Sequence, residues 1–240
     1  VTRFSGFNTY SGPTTVNNGV LAIANSQGIP QASSTLVTGS GRLDLATQPI
    51  GRGEFKIDDL TVTEGGQVFV SAGQPMVSET IVLNANAAGS DNAGGIAVAL
   101  KTKNEPSIRV SEAFDYQSGN LVVFASKSVS PQGTWKIING NVDNADELSR
   151  NTYLKVVGSV DDLNFGGDRY AFDGLGRDYL VFGKEMVNYQ GFLKDGSLNL
   201  VIEKRDIDLD DPKNPPDCEG PLCGLLPGSG SGSGGEIISE

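Results

Sequence analysis

Histidine is missing from this sequence altogether. Its absence excludes Ser-His-Asp and Cys-His catalysis and every zinc or iron site that needs an imidazole. The two cysteines are too few for a four-thiolate metal site. Basic residues are also scarce. Eighteen Lys and Arg face 29 Asp and Glu, for a net charge of -11. A nucleic-acid partner is therefore not expected, because neutralising phosphates takes clustered cations. Docking on an anionic membrane surface is disfavoured for the same reason. No apolar run reaches transmembrane length. The chain opens at Val1 with no basic segment leading into an apolar one, and it reads as an excised or processed fragment.

Glycine is abundant: 32 of the 240 residues, about twice the usual share. Much of it falls in one pattern, glycine followed by apolar residues at alternate positions. The instances are GVLAI at Gly19, GRLDL at Gly41, GQVFV at Gly66, GGIAV at Gly94, GNLVV at Gly119 and GSLNL at Gly196, with a weaker GNVDN at Gly140. The first five glycines lie 22, 25, 28 and 25 residues apart, and the gap of 77 before Gly196 is about three such periods. A second strand-like run precedes most of them, as in TTV, STLV, DDLTV and EAFDY. The unit is strand, glycine turn, strand, then a looser connection. Glycine at the turn admits positive φ without Cβ strain. Period-2 alternation puts Leu21 and Ile23, Leu43 and Leu45, Val68 and Val70, Ile96 and Val98, Leu121 and Val123, and Leu198 and Leu200 on one face.

One such unit cannot bury its apolar face, but stacked units can, each covering the last. The expected fold is all-β, a parallel β-helix; a β-sandwich or barrel is the competing architecture. About eight rungs at the roughly 4.8 Å inter-strand spacing would make a rod near 40 Å long. Rungs are expected over residues 1–149. From about 150 to 205 aromatics gather, among them Tyr153, Phe165, Tyr170, Phe172, Tyr179, Phe182, Tyr189 and Phe192, as a denser cap over an open solenoid end would require. Residues 206–240 turn acidic and rich in proline and glycine. Prolines 212, 215, 216, 221 and 227 cannot donate to a ladder, so strands should end before them. Gly-Ser alternation over 228–235 has the composition of a flexible linker, native or an engineered tether, so the fold is read from residues before 228.

In this tail Cys218 and Cys223 stand five positions apart. A local disulfide in an oxidising compartment is the leading reading, and two free thiols the other. DIDLDD (206–211) begins like a calcium loop with Asp206, Asp208 and Asp210. Asp211 then replaces the required glycine and Asp217 the bidentate glutamate, so a solvated strand is the reading preferred. Asp161, Asp162, Asp168, Asp173 and Asp178 gather with Arg169 and Arg177, as polysaccharide-active enzymes would use, but Asp and Gly at this density also suit turns. Trp135 reads as core or cap packing, with sugar stacking as the alternative. No cofactor is expected.

The opening stretch NTYSGPTTVNNGVLAIANSQGIP, followed by SSTLVTGSGRLDL, resembles the passenger-associated transport repeat of autotransporter proteins. The matching positions are Asn8, Thr9, Tyr10, Ser11, Gly12, Thr15, Val16, Gly19, Leu21, Gly41, Leu43 and Leu45. They cover roughly the first 45 residues. The resemblance implies a right-handed β-helical passenger carried to a Gram-negative cell surface by an outer-membrane β-barrel of the same precursor. It also implies that residues 150–205 sit where such passengers place a segment that helps folding during export. The expectation is a non-enzymatic stem, secreted or surface-displayed. One alternative is an adhesin module, with a host surface or a second copy as partner; another is a polysaccharide-active enzyme with converging carboxylates.

Overall fold

The computed structural model describes residues 1–45, 54–70, 74–86, 94–100, 105–126, 133–157, 179–182, 185–194 and 197–205. The chain is nearly all β, with 64% strand against 3% helix, and its parallel sheets wind into a β-solenoid of about four turns. That decides between solenoid and sandwich. Residues 1–205 form one compact unit and 206–240 another. The second lies outside the described residues, and with it the expectations for Cys218, Cys223 and the Asp206–Asp211 run.

Three strands open the chain: β1 (Thr2–Phe4), β2 (Thr14–Ile23) and β3 (Thr35–Asp44). The next turn holds β4 (Phe55–Lys56), β5 (Asp59–Thr63) and β6 (Gln67–Val70). After it come β7 (Met76–Asn84) with β8 (Gly95–Ala99), and then β9 (Ile108–Ser118) with β10 (Asn120–Ser126). The last turn is β11 (Gly133–Asn139), β12 (Val142–Asp143), a short helix α1 (Ala145–Arg150) and β13 (Thr152–Val157). Three strands follow that do not continue the coil: β14 (Tyr179–Phe182), β15 (Glu185–Lys194) and β16 (Ser197–Arg205).

The register divides the solenoid into three faces, each a ladder of parallel strands. On the first face Val16 pairs with Val37, Val37 with Val62, Val62 with Leu83 and Leu83 with Tyr116. On the second, Leu21 pairs with Leu43, then Val68, Ile96, Leu121 and Thr152 in succession. The third stacks Phe55, Met76, Ile108 and Ile138. Side chains on alternate positions of each strand point into the lumen, as β5 shows with Leu60 and Val62 buried between solvent-facing neighbours. β-branched and aromatic residues fill these columns because they pack on a pleated surface. Burying each such side chain is worth roughly 1.5–3 kcal/mol.

The rod is shorter than the repeat count suggests. Seven strands stack on the second face, from β1 to β13, and six spacings of roughly 4.8 Å span about 29 Å rather than 40 Å. Among the described residues, the long gap between Gly119 and Gly196 adds one further parallel level, β11, β12 and β13, where about three were expected. Val142 of the GNVDN run pairs with Phe114 on the first face, so Gly140 stands at a different corner from the other repeat glycines. The GSLNL run belongs to β16, which pairs antiparallel with β11, placing Leu200 opposite Trp135 and Leu198 opposite Ile138. Leu198 and Leu200 are buried as expected, but against an antiparallel neighbour and not in a parallel column. Two further antiparallel pairings, β15 on β16 and β14 on β15, extend this end of the third face.

Candidate functional site

Chemistry in a solenoid without a cleft motif has to come from its faces, its corners or its ends. Gly19, Gly41, Gly66, Gly94 and Gly119 all sit at the corner between the first face and the second; Gly196 lies outside the described residues. The expectation of a left-handed turn residue describes Gly19 (φ 72°) and Gly119 (φ 109°). It does not describe Gly41 and Gly66, whose φ is not positive. A Cβ on Gly41 would collide with the Val16 carbonyl oxygen of the preceding level, and one on Gly66 with that of Val37. Those two glycines let one level's backbone lie directly on the next. Non-glycine residues also take up the turn at this corner, with Glu64 at φ 50° and Asn144 at φ 55°.

Side-chain hydrogen bonds run between levels at this corner and beside it. Ser40 Oγ donates to Asn18 Oδ1 at 2.9 Å and Ser118 Oγ to Asn84 Oδ1 at 2.7 Å. At the last level Asn144 Nδ2 donates to the Tyr116 carbonyl at 2.8 Å, and the buried Tyr116 hydroxyl donates to the Gly119 carbonyl at 2.9 Å. α1 follows directly and brings Leu148, fully buried, into the core. Asp146 and Glu147 occupy its first turn, where the exposed amide dipoles favour negative charge.

The residues behind the family resemblance have definite structural positions. Before the third face begins, two irregular connections, 5–13 and 24–34, run side by side. Asn8 Nδ2 donates to the Gly28 carbonyl at 2.7 Å, and Ser33 Oγ to the Gly12 carbonyl at 2.6 Å. The Tyr10 and Thr14 hydroxyls share a hydrogen bond of 2.6 Å. Ile29 from the second connection is completely buried. Val16, Leu21, Leu43 and Leu45 face the core, whereas Thr9, Ser11 and Thr15 are exposed. Polar side chains therefore join the first two levels where the third-face ladder is missing.

The second face carries a feature that alternation alone does not announce. Its outward positions Phe69, Ala97 and Val122 are as buried as its inward ones. Among them lies a charged pair: Arg42 Nη2 donates to Asp44 Oδ2 at 3.1 Å, and the guanidinium stands 3.7 Å from the Phe69 ring centroid. The continuous apolar runs VFV and LVVF are the sequence signal for a strand covered on both sides. On the third face Arg109 pairs with Glu54, and Lys56 stands 3.9 Å from the same carboxylate. Those side chains are a third to a half exposed, so screening leaves them little weight.

Trp135 is buried in the core cluster with Leu198 and Leu200, which makes it a packing residue and withdraws the sugar-stacking alternative. The carboxylates at 161, 162, 168, 173 and 178 and the arginines at 169 and 177 lie outside the described residues. Among the described residues no group of three or more Asp, Glu, His or Cys is arranged to hold a metal ion. No helix among them is long and apolar enough to cross a membrane.

The stack's first strand is exposed along one side. β2 pairs with β3 along most of its length, and β1 covers only Leu21, Ala22 and Ile23 on the other side. Among the described residues nothing pairs with that side of Thr14–Gly19. Thr15, Asn17, Asn18 and Gly19 are exposed; in the connection that leads into the strand, Phe7 is 72% exposed and Tyr10 36%. Comparison of the chain with family models, with curated proteins and with solved structures gave no match.

Proposed function

We propose that this chain is the β-helical stem of an autotransporter-like passenger, secreted or displayed on a bacterial cell surface, and that it acts without catalysis. Its role is to support export, folding and display, with the outer-membrane β-barrel of the same precursor as its carrier. The observation that carries this reading is the use made of the repeat-like residues. Asn8, Tyr10 and Gly12 join the first levels of a parallel stack, while Val16, Leu21 and Leu43 begin its core columns. A stack in which each level templates the next suits a chain that emerges vectorially from one end. In an oxidising extracellular setting Cys218 and Cys223 would be bonded to each other.

The test is display. The chain is fused between an export signal and an autotransporter barrel in a Gram-negative host, and surface protein is measured by protease accessibility on intact cells. Efficient display of a protease-resistant core is expected, with at least a several-fold loss when residues 8–45 are deleted. Retention of the intact fusion in the periplasm would overturn the stem reading. Equal display of the deletion would show that the repeat-like segment has no part in export.

The adhesin reading stays second, supported by the exposed Phe7 and Tyr10 in the connection that leads into β2.

A further inference from the structure

We infer that Asn139 is a modification site, at which the protein converts its own asparagine to aspartate and isoaspartate through the backbone amide of Gly140. The chain has two Asn-Gly pairs, Asn18–Gly19 and Asn139–Gly140. In such a pair no Cβ shields the amide nitrogen that follows the asparagine, and the backbone can turn it toward the side-chain carbonyl. The two pairs differ in what holds them. Asn18 and Gly19 both lie inside β2, in register with Ser40 and Gly41, so turning that peptide would break the ladder. Asn139 is exposed and is the last residue of β11, while Gly140, at φ 139°, belongs to no strand. A Cβ on Gly140 would collide with the side chain and the carbonyl oxygen of Val110. Packing at this corner therefore requires the same glycine that makes the pair labile.

A neighbouring strand supplies help for the reaction. Ser197 Oγ donates to Asn139 Oδ1 at 3.2 Å. When the Gly140 nitrogen attacks Cγ of Asn139, negative charge builds on that oxygen, and a donor already aimed at it stabilises the tetrahedral intermediate. The N–Cγ bond forms, the Cγ–Nδ2 bond breaks, and ammonia leaves with the proton given up by the Gly140 amide. Water then opens the cyclic imide. Cleavage of the new N–Cγ bond gives aspartate; cleavage of the original peptide bond leaves the chain running through Cγ, as isoaspartate. The sum is asparagine plus water to aspartate plus ammonia, and no other reactant is needed. Aspartate places a carboxylate beside Arg109, the register neighbour of Asn139 on β9, in competition with Glu54 for the guanidinium. Isoaspartate instead adds a methylene to the backbone where β11 leaves its pairing with β9 and β16.

The test follows the full chain in mildly alkaline buffer at physiological temperature. Peptide mapping locates each gain of mass, and enzymatic methylation of isoaspartate separates the two products. Peptides containing Asn139 should convert at least several-fold faster than those containing Asn18, and both products should appear. In denaturant that advantage should be lost, because only the folded chain distinguishes the two pairs. Ser197→Ala should slow conversion at Asn139 several-fold in the folded protein and leave the denatured rate unchanged. An Asn139 that stays unmodified in the folded protein overturns the inference. Equal rates at the two pairs in the folded protein also overturn it, since sequence alone would then set them. So does a rate that Ser197→Ala leaves unchanged or raises, because the join with β16 would then protect Asn139 and not assist its conversion.

Discussion

The two ends of this solenoid solve the same problem in opposite ways. At the C-terminal end the third face changes direction: β16 runs antiparallel to β11, and β15 and β14 follow antiparallel again. α1 fills the corner between the first and second faces and sends Leu148 into the core. Ser197 Oγ donates to Asn139 Oδ1 at 3.2 Å across the join. At the N-terminal end the direction never changes. β1 and β2 are parallel to each other and to β3, the third side is irregular backbone joined by Asn8 and Ser33, and among the described residues nothing pairs with the outer side of β2 over Thr14–Gly19. A parallel edge presents the register that the next strand would adopt, so it can be extended; a turn to antiparallel pairing ends that succession. Among the described residues, the parallel succession is left open at one end and stopped at the other.

The largest test of this contrast removes the finished end. Without residues 150–205, Leu198, Leu200 and Ile202 leave the core and Trp135 loses its partner strand. Residues 1–149 alone should then aggregate or fail to unfold cooperatively, as judged by circular dichroism and light scattering. If they stay soluble and melt cooperatively near the full-length temperature, the antiparallel strands are an appendage and the contrast between the ends carries no stability.

Next in size are the corner glycines, where two positions that look alike in sequence should behave differently. Gly66→Ala drives a methyl group into the Val37 carbonyl of the level beneath, with backbone on both sides unable to yield. A loss of about 3 kcal/mol or more is expected, in the range where large single-site effects fall. Gly19→Ala meets open space and bears only its left-handed φ of 72°. Its cost should be about 1 kcal/mol. Equal losses in denaturant titration would mean that backbone approach between levels is not what these glycines permit. Between them falls Val70→Ala, which empties part of a fully buried column and should cost about 1–3 kcal/mol.

These comparisons also explain what could be read from the chain and what could not. The second face was legible because five of its levels, those of β2, β3, β6, β8 and β10, follow a glycine and place two apolar residues inward at a nearly constant period. The third face was not. Phe55, Met76, Ile108 and Ile138 stack directly, yet they lie 21, 32 and 30 residues apart, because the connections between faces vary in length. Inward residues that recur without a fixed period leave no pattern to find. The strand direction of GSLNL was hidden for another reason: alternation reports which side chains are buried and is the same for parallel and antiparallel neighbours. Arg42 and Asp44 were passed over because GRLDL scores as a half-exposed strand until the outward side proves to be buried as well.

The smallest expected effect sharpens the contrast at a single atom of the N-terminal levels. Where the higher levels of the first face hold Leu60, Ile81 and Phe114, the two lowest hold Thr14 and Thr35, in register one above the other. Both are buried, but their hydroxyls differ. That of Thr14 shares a 2.6 Å hydrogen bond with Tyr10, whereas Thr35 Oγ1 is buried with no hydrogen-bond partner among the described residues. A buried hydroxyl without a partner loses its hydration and gains nothing in return, at a cost of about 1–3 kcal/mol. Valine keeps the β-branched shape that suits a strand and removes the polar atom. Thr35→Val should therefore stabilise the protein by about 1 kcal/mol, raising Tm by about 2–4 °C for a unit of this size. Thr14→Val should do the reverse, because it strands the Tyr10 hydroxyl and loosens the connection that leads into β2. Matched thermal melts of the two variants decide the point. If both stabilise, the Tyr10 contact adds nothing and the low end is held by burial alone; if both destabilise, Thr35 has a partner in solution, and a water molecule bridging the two lowest levels would be the group to look for.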